Sequence, residues 1–219
     1  LDGVTGVQTC ALPISTAGEK LQSLFDAFNA VTPSVTAFYG IGALDKNNTT
    51  QMGKISYWAF YYLRPETYEN GFDTGGADGD ITVLEDWLTA MSNAIGPIEA
   101  FYGDELGTPP TLNLDNIDHS GLLAYWAKRM LNEMAGDPAQ LSALFTKMDQ
   151  VIPRVEGYYE LAAGLIKKIP QTPQEETYWG LVGYWSDQIP AKFADVNALE
   201  DYLAAMDSAI PAIELFYGI

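Results

Sequence analysis

The chain is poor in the side chains that build most catalytic and metal centres. Its 219 residues include a single cysteine, Cys10, and a single histidine, His119. One thiol cannot close a disulfide within the chain, and one imidazole cannot assemble a zinc site from Cys and His ligands. No Ser or Cys pattern near His119 is typical of an activated nucleophile. The sequence therefore predicts no catalytic residue and favours a non-catalytic protein.

Basic residues and long apolar runs are also scarce. The 11 Lys and Arg residues face 29 Asp and Glu residues, so the formal net charge is -18. This charge would repel a phosphate backbone, and we expect no nucleic-acid partner. No apolar run of roughly 18 residues occurs, so we expect no transmembrane segment. Charged residues make up only 18% of a chain that is rich in Tyr, Trp and Gly, which favours an extracytoplasmic location over a salt-adapted cytoplasmic one.

The first 14 residues are not typical of a protein fold. Residues 2–14 resemble the in-frame translation of a common sequencing adaptor, and the chain does not begin with Met. We interpret residues 1–14 as an artefact joined to an open reading frame from environmental DNA, and residues 15–219 as the biological chain. The alternative is a signal-peptide remnant that ends near Ala11, but it lacks a basic region. Under the artefact interpretation Cys10 is not part of the protein.

Four stretches of the chain resemble one another at a spacing of roughly 60 residues, as in helical-repeat proteins. Each contains six mainly apolar positions separated by steps of 4, 3, 4, 3 and 4 residues. These steps keep all six positions on one side of an α-helix. In the second copy the stripe consists of Leu84, Leu88, Met91, Ile95, Ile98 and Tyr102. The pattern predicts four long amphipathic helices.

The ends and the interior of these helices carry further signals. Asp80, Asp137 and Asp195 stand where an N-cap belongs, because an Asp side chain accepts hydrogen bonds from the first helical amides. The four copies also contain a proline each: Pro33, Pro97, Pro153 and Pro211. The apolar stripe keeps its phase across the proline, so we predict one kinked helix of about 22 residues in each copy rather than two short ones.

Three further helices are predicted between the long ones. Their mark is a Tyr-Trp pair followed by a small residue, at Tyr57-Trp58, Tyr125-Trp126 and Tyr178-Trp179. The predicted fold is therefore all-α, a helical repeat of about seven helices in which long and Tyr-Trp helices alternate. The second and fourth copies are the most alike, which predicts two pseudo-symmetric halves at residues 15–103 and 137–219. Residues 104–136 would connect these halves within a single domain.

A row of carboxylates and hydroxyls is the first candidate site. Glu99, Glu156 and Glu214 each lie three residues before a tyrosine of the stripe. If equivalent helices stack side by side, these acids could line one groove and bind a cation or an amine. The candidate tyrosines are Tyr39, Tyr102, Tyr159 and Tyr217. The alternative is that each Glu is an ordinary boundary residue whose carboxylate meets water.

A second candidate site is a glycine-rich segment over residues 73–85. Asp78, Gly79, Asp80 and Glu85 resemble the later half of an EF-hand calcium loop, with its glycine turn and final carboxylate. The resemblance implies a calcium site with Asp73 as a further ligand. However, Thr74 and Gly76 stand at the first and third loop positions, where oxygen ligands belong. The alternative is a turn that leads into the N-cap at Asp80.

We therefore predict a binding or scaffolding protein, with a face lined by tyrosines and flanked by acids. Two other hypotheses stay open. The chain could carry an apolar small molecule between Met91, Met148, Met206 and the Tyr-Trp rings, since thioethers and rings suit such guests. It could also be a truncated carbohydrate-active α/α toroid enzyme, with carboxylates in Glu85-Asp86-Trp87 and Glu200-Asp201-Tyr202. The alternative is that these acids are inert and are favoured in the first turns of helices by the helix dipole. The ligand and the oligomeric state cannot be derived from these patterns.

The calcium hypothesis leads to a direct prediction. If the segment over residues 73–85 binds calcium in the folded protein, then calcium raises the melting temperature relative to a chelator, because a ligand of the native state stabilises it. Thermal unfolding followed by circular dichroism in both buffers measures the difference. Two superimposable curves would contradict the hypothesis.

Overall fold

The described part of the chain is mainly helical. The computed structural model describes residues 17–64, 68–69, 72–73, 76–169 and 173–218. Its seven α-helices are α1 (Ala17–Phe38), α2 (Thr49–Leu63), α3 (Ile81–Tyr102), α4 (Ile117–Met134), α5 (Pro138–Tyr158), α6 (Pro173–Ala191) and α7 (Val196–Tyr217). A short 3₁₀ helix (Gly103–Leu106) follows α3, and two-residue strands β1 (Tyr68–Glu69) and β2 (Phe72–Asp73) pair antiparallel. The all-α prediction is confirmed. None of the helices described could span a bilayer, given their length and polarity.

The long helices continue through their prolines. Helices α1, α3 and α7 have 22 residues each and α5 has 21, and each contains its proline in the interior. The predicted length and continuity of these helices are thus confirmed. A proline deprives the helix of one hydrogen bond, but the apolar stripe on both sides of it is in phase and can pack as one surface.

The helix starts follow from local side-chain chemistry. Asp80 Oδ1 accepts a hydrogen bond from the Thr82 amide, Asp137 from the Ala139 amide, and Asp195 from the amides of Asn197 and Ala198. These contacts confirm the three predicted N-caps. Two other helices have an asparagine at the N-cap: Asn48 caps α2 and Asn116 caps α4. Each cap satisfies amides that have no partner within the helix.

The chain divides into two compact units, one ending at Leu88 and the other starting at Thr89. The division falls inside α3 and not in the predicted connector, residues 104–136, which consists of the 3₁₀ helix, a loop and α4. The first turns of α3 belong to the first unit, where Glu85 accepts a hydrogen bond from Ser34 of α1. The repeat, the pseudo-symmetric halves and the single domain stay predictions.

In the first unit, α1 packs against α2. Val31 and Val35 of α1 are buried, as are Ile55 and Trp58 of α2. The backbone after α2 then folds back on the end of that helix. The amides of Ala77, Asp78 and Gly79 donate to the carbonyls of Tyr61, Arg64 and Tyr62. The last carbonyls of α2 are thus satisfied by backbone rather than by a capping side chain.

In the second unit, α5 lies in the centre and packs against α4, α6 and α7. Its stripe is buried along the helix through Leu141, Phe145 and Met148. The Phe145 ring stacks on Phe101 at 4.3 Å between centroids and meets Trp126 edge-on at 4.7 Å. Such offset and edge contacts between rings add to the stabilisation from burial alone.

The fold-back of the first unit depends on a glycine. A Cβ on Gly76 would overlap the backbone carbonyl of Arg64, whereas a Cβ on Gly53, in the interior of α2, would meet open space. We expect Gly76→Ala to lower the free energy of unfolding by about 1–3 kcal/mol through overpacking. Gly53→Ala is the matched control and should raise it by up to about 1 kcal/mol, because Ala favours the helix. Urea denaturation of both variants measures the difference, and equal effects would contradict the fold-back geometry.

Candidate functional site

The apolar stripe of α7 is buried along its first half and exposed along its second. Leu199 and Leu203 are buried in the second unit. Further along the same side, Ile210 is 40% exposed, Ile213 49% and Tyr217 70%. The Phe216 ring is exposed as well, and it meets the Tyr217 ring edge-on at 5.0 Å between centroids. We call Ile210, Ile213, Phe216 and Tyr217 the open face of α7.

The equivalent positions of α3 are covered. Ile98 and Tyr102, which correspond to Ile213 and Tyr217 in the predicted repeat, are buried. Trp126 of α4 lies on this part of α3, and its Nε1 donates a hydrogen bond of 2.9 Å to the Tyr102 hydroxyl. Burial raises the pKa of the Tyr102 hydroxyl above its usual range, although the hydrogen bond from Trp126 lowers it in part. The hydroxyl therefore stays protonated and neutral at physiological pH.

The first unit contains the same contact. Trp58 Nε1 of α2 donates to the hydroxyl of Tyr39 at the end of α1, at 3.2 Å. The ammonium group of Lys54 lies 4.4 Å from the centre of the Tyr39 ring, which is a cation-π geometry. In the second unit the Arg129 guanidinium lies 5.7 Å from the centre of the Trp126 ring. In both places a tryptophan of one helix meets the tyrosine end of the preceding long helix, and a cationic side chain of the tryptophan helix lies over one of the two rings.

The buried tryptophan of α6 is one that the sequence reasoning missed. Trp185 is buried beside Tyr184, whereas the prediction used Tyr178-Trp179; the Trp179 side chain lies outside the described ones. The signal was present in the sequence as a six-residue pattern: Gly, any residue, an aliphatic residue, a small residue, Tyr and Trp. It occurs at residues 53–58, 121–126 and 180–185. The small position of the third copy, Gly183, lies against the Arg129 guanidinium.

The contact of α6 differs from the other two. Among the described residues, Trp185 Nε1 and the neighbouring Ser186 hydroxyl are buried without a hydrogen-bond partner. Tyr159, which stands at the position of Tyr39 and Tyr102 in the repeat, is half-exposed. The tyrosines of the predicted row are thus used in different ways. Tyr102 is buried and its hydroxyl accepts a hydrogen bond, Tyr159 is half-exposed, and Tyr217 is exposed.

Two of the three predicted glutamates, Glu99 and Glu156, accept hydrogen bonds from backbone amides. Glu99 accepts a hydrogen bond of 2.9 Å from the Leu112 amide. Buried Glu156 accepts from the amides of Gly164 at 2.9 Å and Ile166 at 3.1 Å. These carboxylates therefore hold the segments that follow α3 and α5, while Glu214 is exposed on α7. The hypothesis of one shared ligand groove stays a prediction.

The predicted calcium ligands have other contacts. Asp80 caps α3, and the hydrogen bond from the Thr82 hydroxyl holds the pKa of Asp80 below its ordinary value. Glu85 bonds to Ser34, and Asp78 is exposed with a positive φ of 46°. The Asp73 side chain lies outside the described ones. Within the described residues, no three His, Cys, Asp or Glu side chains are grouped as metal ligands would be.

A groove between α5 and α7 lies beside the buried half of the α7 stripe. Its volume is about 530 Å³. The lining residues are Pro153, Arg154, Gly157, Tyr158, Glu160, Glu200, Leu203, Ala204 and Asp207. An ion pair between Arg154 Nε and Glu200 Oε2, 3.1 Å apart, joins α5 to α7 here. The groove is therefore polar and acidic, and it adjoins the open face through Asp207.

His119 has a structural contact. It is buried in the first turn of α4, and its Nδ1 accepts a hydrogen bond of 3.0 Å from the Asn113 amide. The imidazole thus holds the loop before α4, which agrees with the absence of a catalytic pattern around it in the sequence.

No protein-family model, curated protein or solved structure matches this chain. Function therefore has to be argued from the site itself.

The contacts of Glu156 lead to a test with an internal control. We expect Glu156→Gln to weaken the hold on residues 161–169, because the amide side chain is uncharged and has one acceptor oxygen where the carboxylate uses two. The amides of Gly164 and Ile166 should exchange hydrogen faster, by an amount that corresponds to about 1–3 kcal/mol. Glu214→Gln changes the equivalent but exposed residue and should leave exchange in α7 nearly unchanged. Unaltered exchange at Gly164 in the first variant would contradict the assigned role.

Proposed function

We propose that this chain is a non-catalytic binding protein that holds another protein on the open face of α7. The observation that carries the proposal is the change of exposure along one stripe, from buried Leu199 and Leu203 to open Ile213 and Tyr217. A soluble protein seldom presents contiguous apolar side chains to water unless they form an interaction surface. The arrangement supports a helix-in-groove mode, in which a partner helix covers the stripe.

The composition of the open face favours a specific interface. It combines two isoleucines with two aromatic side chains, and aromatic residues are enriched among those that dominate interface energetics. Covering the exposed part of each large apolar side chain contributes on the order of 1–2 kcal/mol before the costs of association. Four such side chains are enough to anchor a helix, with the polar groove at Asp207 beside them.

The two other hypotheses have less support. For an apolar-ligand carrier, a cavity should adjoin the methionines, but Met91 and Met148 are buried and no methionine lines the groove between α5 and α7. For a toroid enzyme, two carboxylates should face each other across a cleft. Glu85 is bonded to Ser34 and Glu200 to Arg154 instead. Both hypotheses, like the extracytoplasmic location, remain untested predictions.

A selection experiment tests the proposed function. A display library of amphipathic helical peptides with no bias in charge or aromatic content is selected against the chain. We expect enriched peptides whose affinity falls at least about tenfold on Ile213→Asp, which places a charge in the open face.

Leu215→Asp is the matched control for this experiment. Leu215 is 86% exposed but lies about 140° around α7 from Ile210, outside the open face. Leu215→Asp should leave the affinities of the selected peptides unchanged. Circular dichroism verifies that both variants keep their helix content. If no selected peptide distinguishes Ile213→Asp from Leu215→Asp, the proposed function is wrong.

A further inference from the structure

We infer that the partner of the open face is a basic amphipathic helix that carries a tryptophan, whose indole N–H donates to the Tyr217 hydroxyl. This inference rests on the proposed function and adds the chemistry of the partner to it. Three observations support the inference: the hydrogen bonds of Tyr39 and Tyr102, the acidic rim of the open face, and the cationic side chains near the two hydrogen-bonded tryptophans.

The first support is how the chain covers equivalent tyrosines. Tyr39 and Tyr102 end the stripes of α1 and α3, and each hydroxyl accepts from the Nε1 of a tryptophan on the next helix. Tyr217 ends the stripe of α7 in the same position, 70% exposed. A covering helix must offer this hydroxyl a hydrogen-bond partner, because a buried polar group without one costs about 1–3 kcal/mol. A tryptophan meets that need and fills the apolar space around it.

The second support is the charge around the open face. Helix α7 carries four acids and no Lys or Arg. Asp207 and Glu214 are both exposed, and they lie about 60° and 40° from Ile210 around the helix axis, on the same side. They form an acidic rim along the stripe. Basic side chains that flank the apolar side of a partner helix would complement this rim and speed association.

The chain itself shows where such cations fit. The Lys54 ammonium lies over the Tyr39 ring, four residues before Trp58, and the Arg129 guanidinium lies over Trp126, three residues after it. One helical turn on either side of the tryptophan is therefore the place for a Lys or Arg in the partner.

Charge also argues against other occupants. A second copy of a chain with a net charge of -18 would be repelled, and so would an anionic lipid surface. A basic helix is attracted by the same field.

The probe is a blocked 18-residue peptide with the sequence of α4, Ile117–Met134, changed by Asp118→Asn and Glu133→Gln so that Lys128 and Arg129 are its charged side chains. Fluorescence anisotropy of the labelled peptide measures its affinity for the full chain. We expect binding that Ile213→Asp weakens at least about tenfold and Leu215→Asp leaves unchanged. These two variants locate the peptide on the open face rather than at the internal site of α4.

A double-mutant cycle tests the indole contact. Tyr217→Phe in the protein removes the acceptor, and naphthylalanine in place of Trp126 in the peptide keeps a two-ring side chain without the N–H. Each change alone should weaken binding by roughly twofold to tenfold, which is the range of one hydrogen bond. Because both remove the same bond, the combined loss should be clearly smaller than the product of the single losses. Independent, multiplicative losses would overturn the inference.

A charge exchange tests the acidic rim. The peptide with Lys128→Glu and Arg129→Glu should bind more weakly, and this penalty should shrink when the protein carries Asp207→Asn and Glu214→Gln. Added salt should also reduce this penalty, because it screens the charges. A penalty that is unchanged in the protein variant would overturn the assignment of the rim.

The remaining outcomes separate the inference from the proposed function. If library peptides bind the open face but are acidic or lack tryptophan, the inference is wrong and the proposed function stands. If the protein without peptide self-associates in sedimentation and Ile213→Asp abolishes this, the open face belongs to a second copy and the inference is wrong. If Ile213→Asp changes the affinity of neither the library peptides nor the probe peptide, both the inference and the proposed function are wrong.

Discussion

The need to cover one apolar stripe on each long helix organises this protein. A stripe of six positions along 22 residues cannot face water without a large hydrophobic cost, so a further helix has to lie on it. The stripe ends in a tyrosine, and a polar hydroxyl there has to be satisfied as well. Helices α2 and α4 meet both needs at Tyr39 and Tyr102, because an indole is a large apolar ring with one hydrogen-bond donor.

Coverage of the stripe differs between the long helices: its first positions on α1, Leu21 and Phe25, are about half-exposed, whereas Leu84 and Leu88 of α3 are buried. The contacts of Tyr39 and Tyr102 include the indole hydrogen bond. Around α6 the tryptophan is buried, but its N–H has no hydrogen-bond partner among the described residues and Tyr159 is half-exposed. On α7 the second half of the stripe is open. The binding surface that we propose is thus made of the same residues that form the core elsewhere, and the difference lies only in whether a helix lies on them.

The recurring glutamates illustrate how a repeated residue can be structural. A carboxylate one turn before the end of a long helix can reach the backbone amides of the segment that follows, as Glu99 and Glu156 do. Charged acceptors make strong hydrogen bonds to amides, which explains an acid at this position without any ligand. Together with the caps at Asp80, Asp137 and Asp195, these contacts give part of the acidic surplus a structural use.

Sequence by itself determined the features that depend on neighbours along the chain. Helix type, length and starting points follow from the spacing of the stripe and from the capping Asp residues, because these act within one or two turns. It did not indicate that Trp185 of α6 is buried, since the burial of this ring depends on packing against other helices. Nor did it determine which amides Glu156 would bind, because Gly164 and Ile166 reach it through the path of a loop. The stripes of α3 and α7 are nearly the same in sequence, and only the tertiary structure covers Ile98 while it leaves Ile213 exposed. Burial is a property of the neighbours of a helix, and those neighbours are placed by contacts between residues that are distant in the chain.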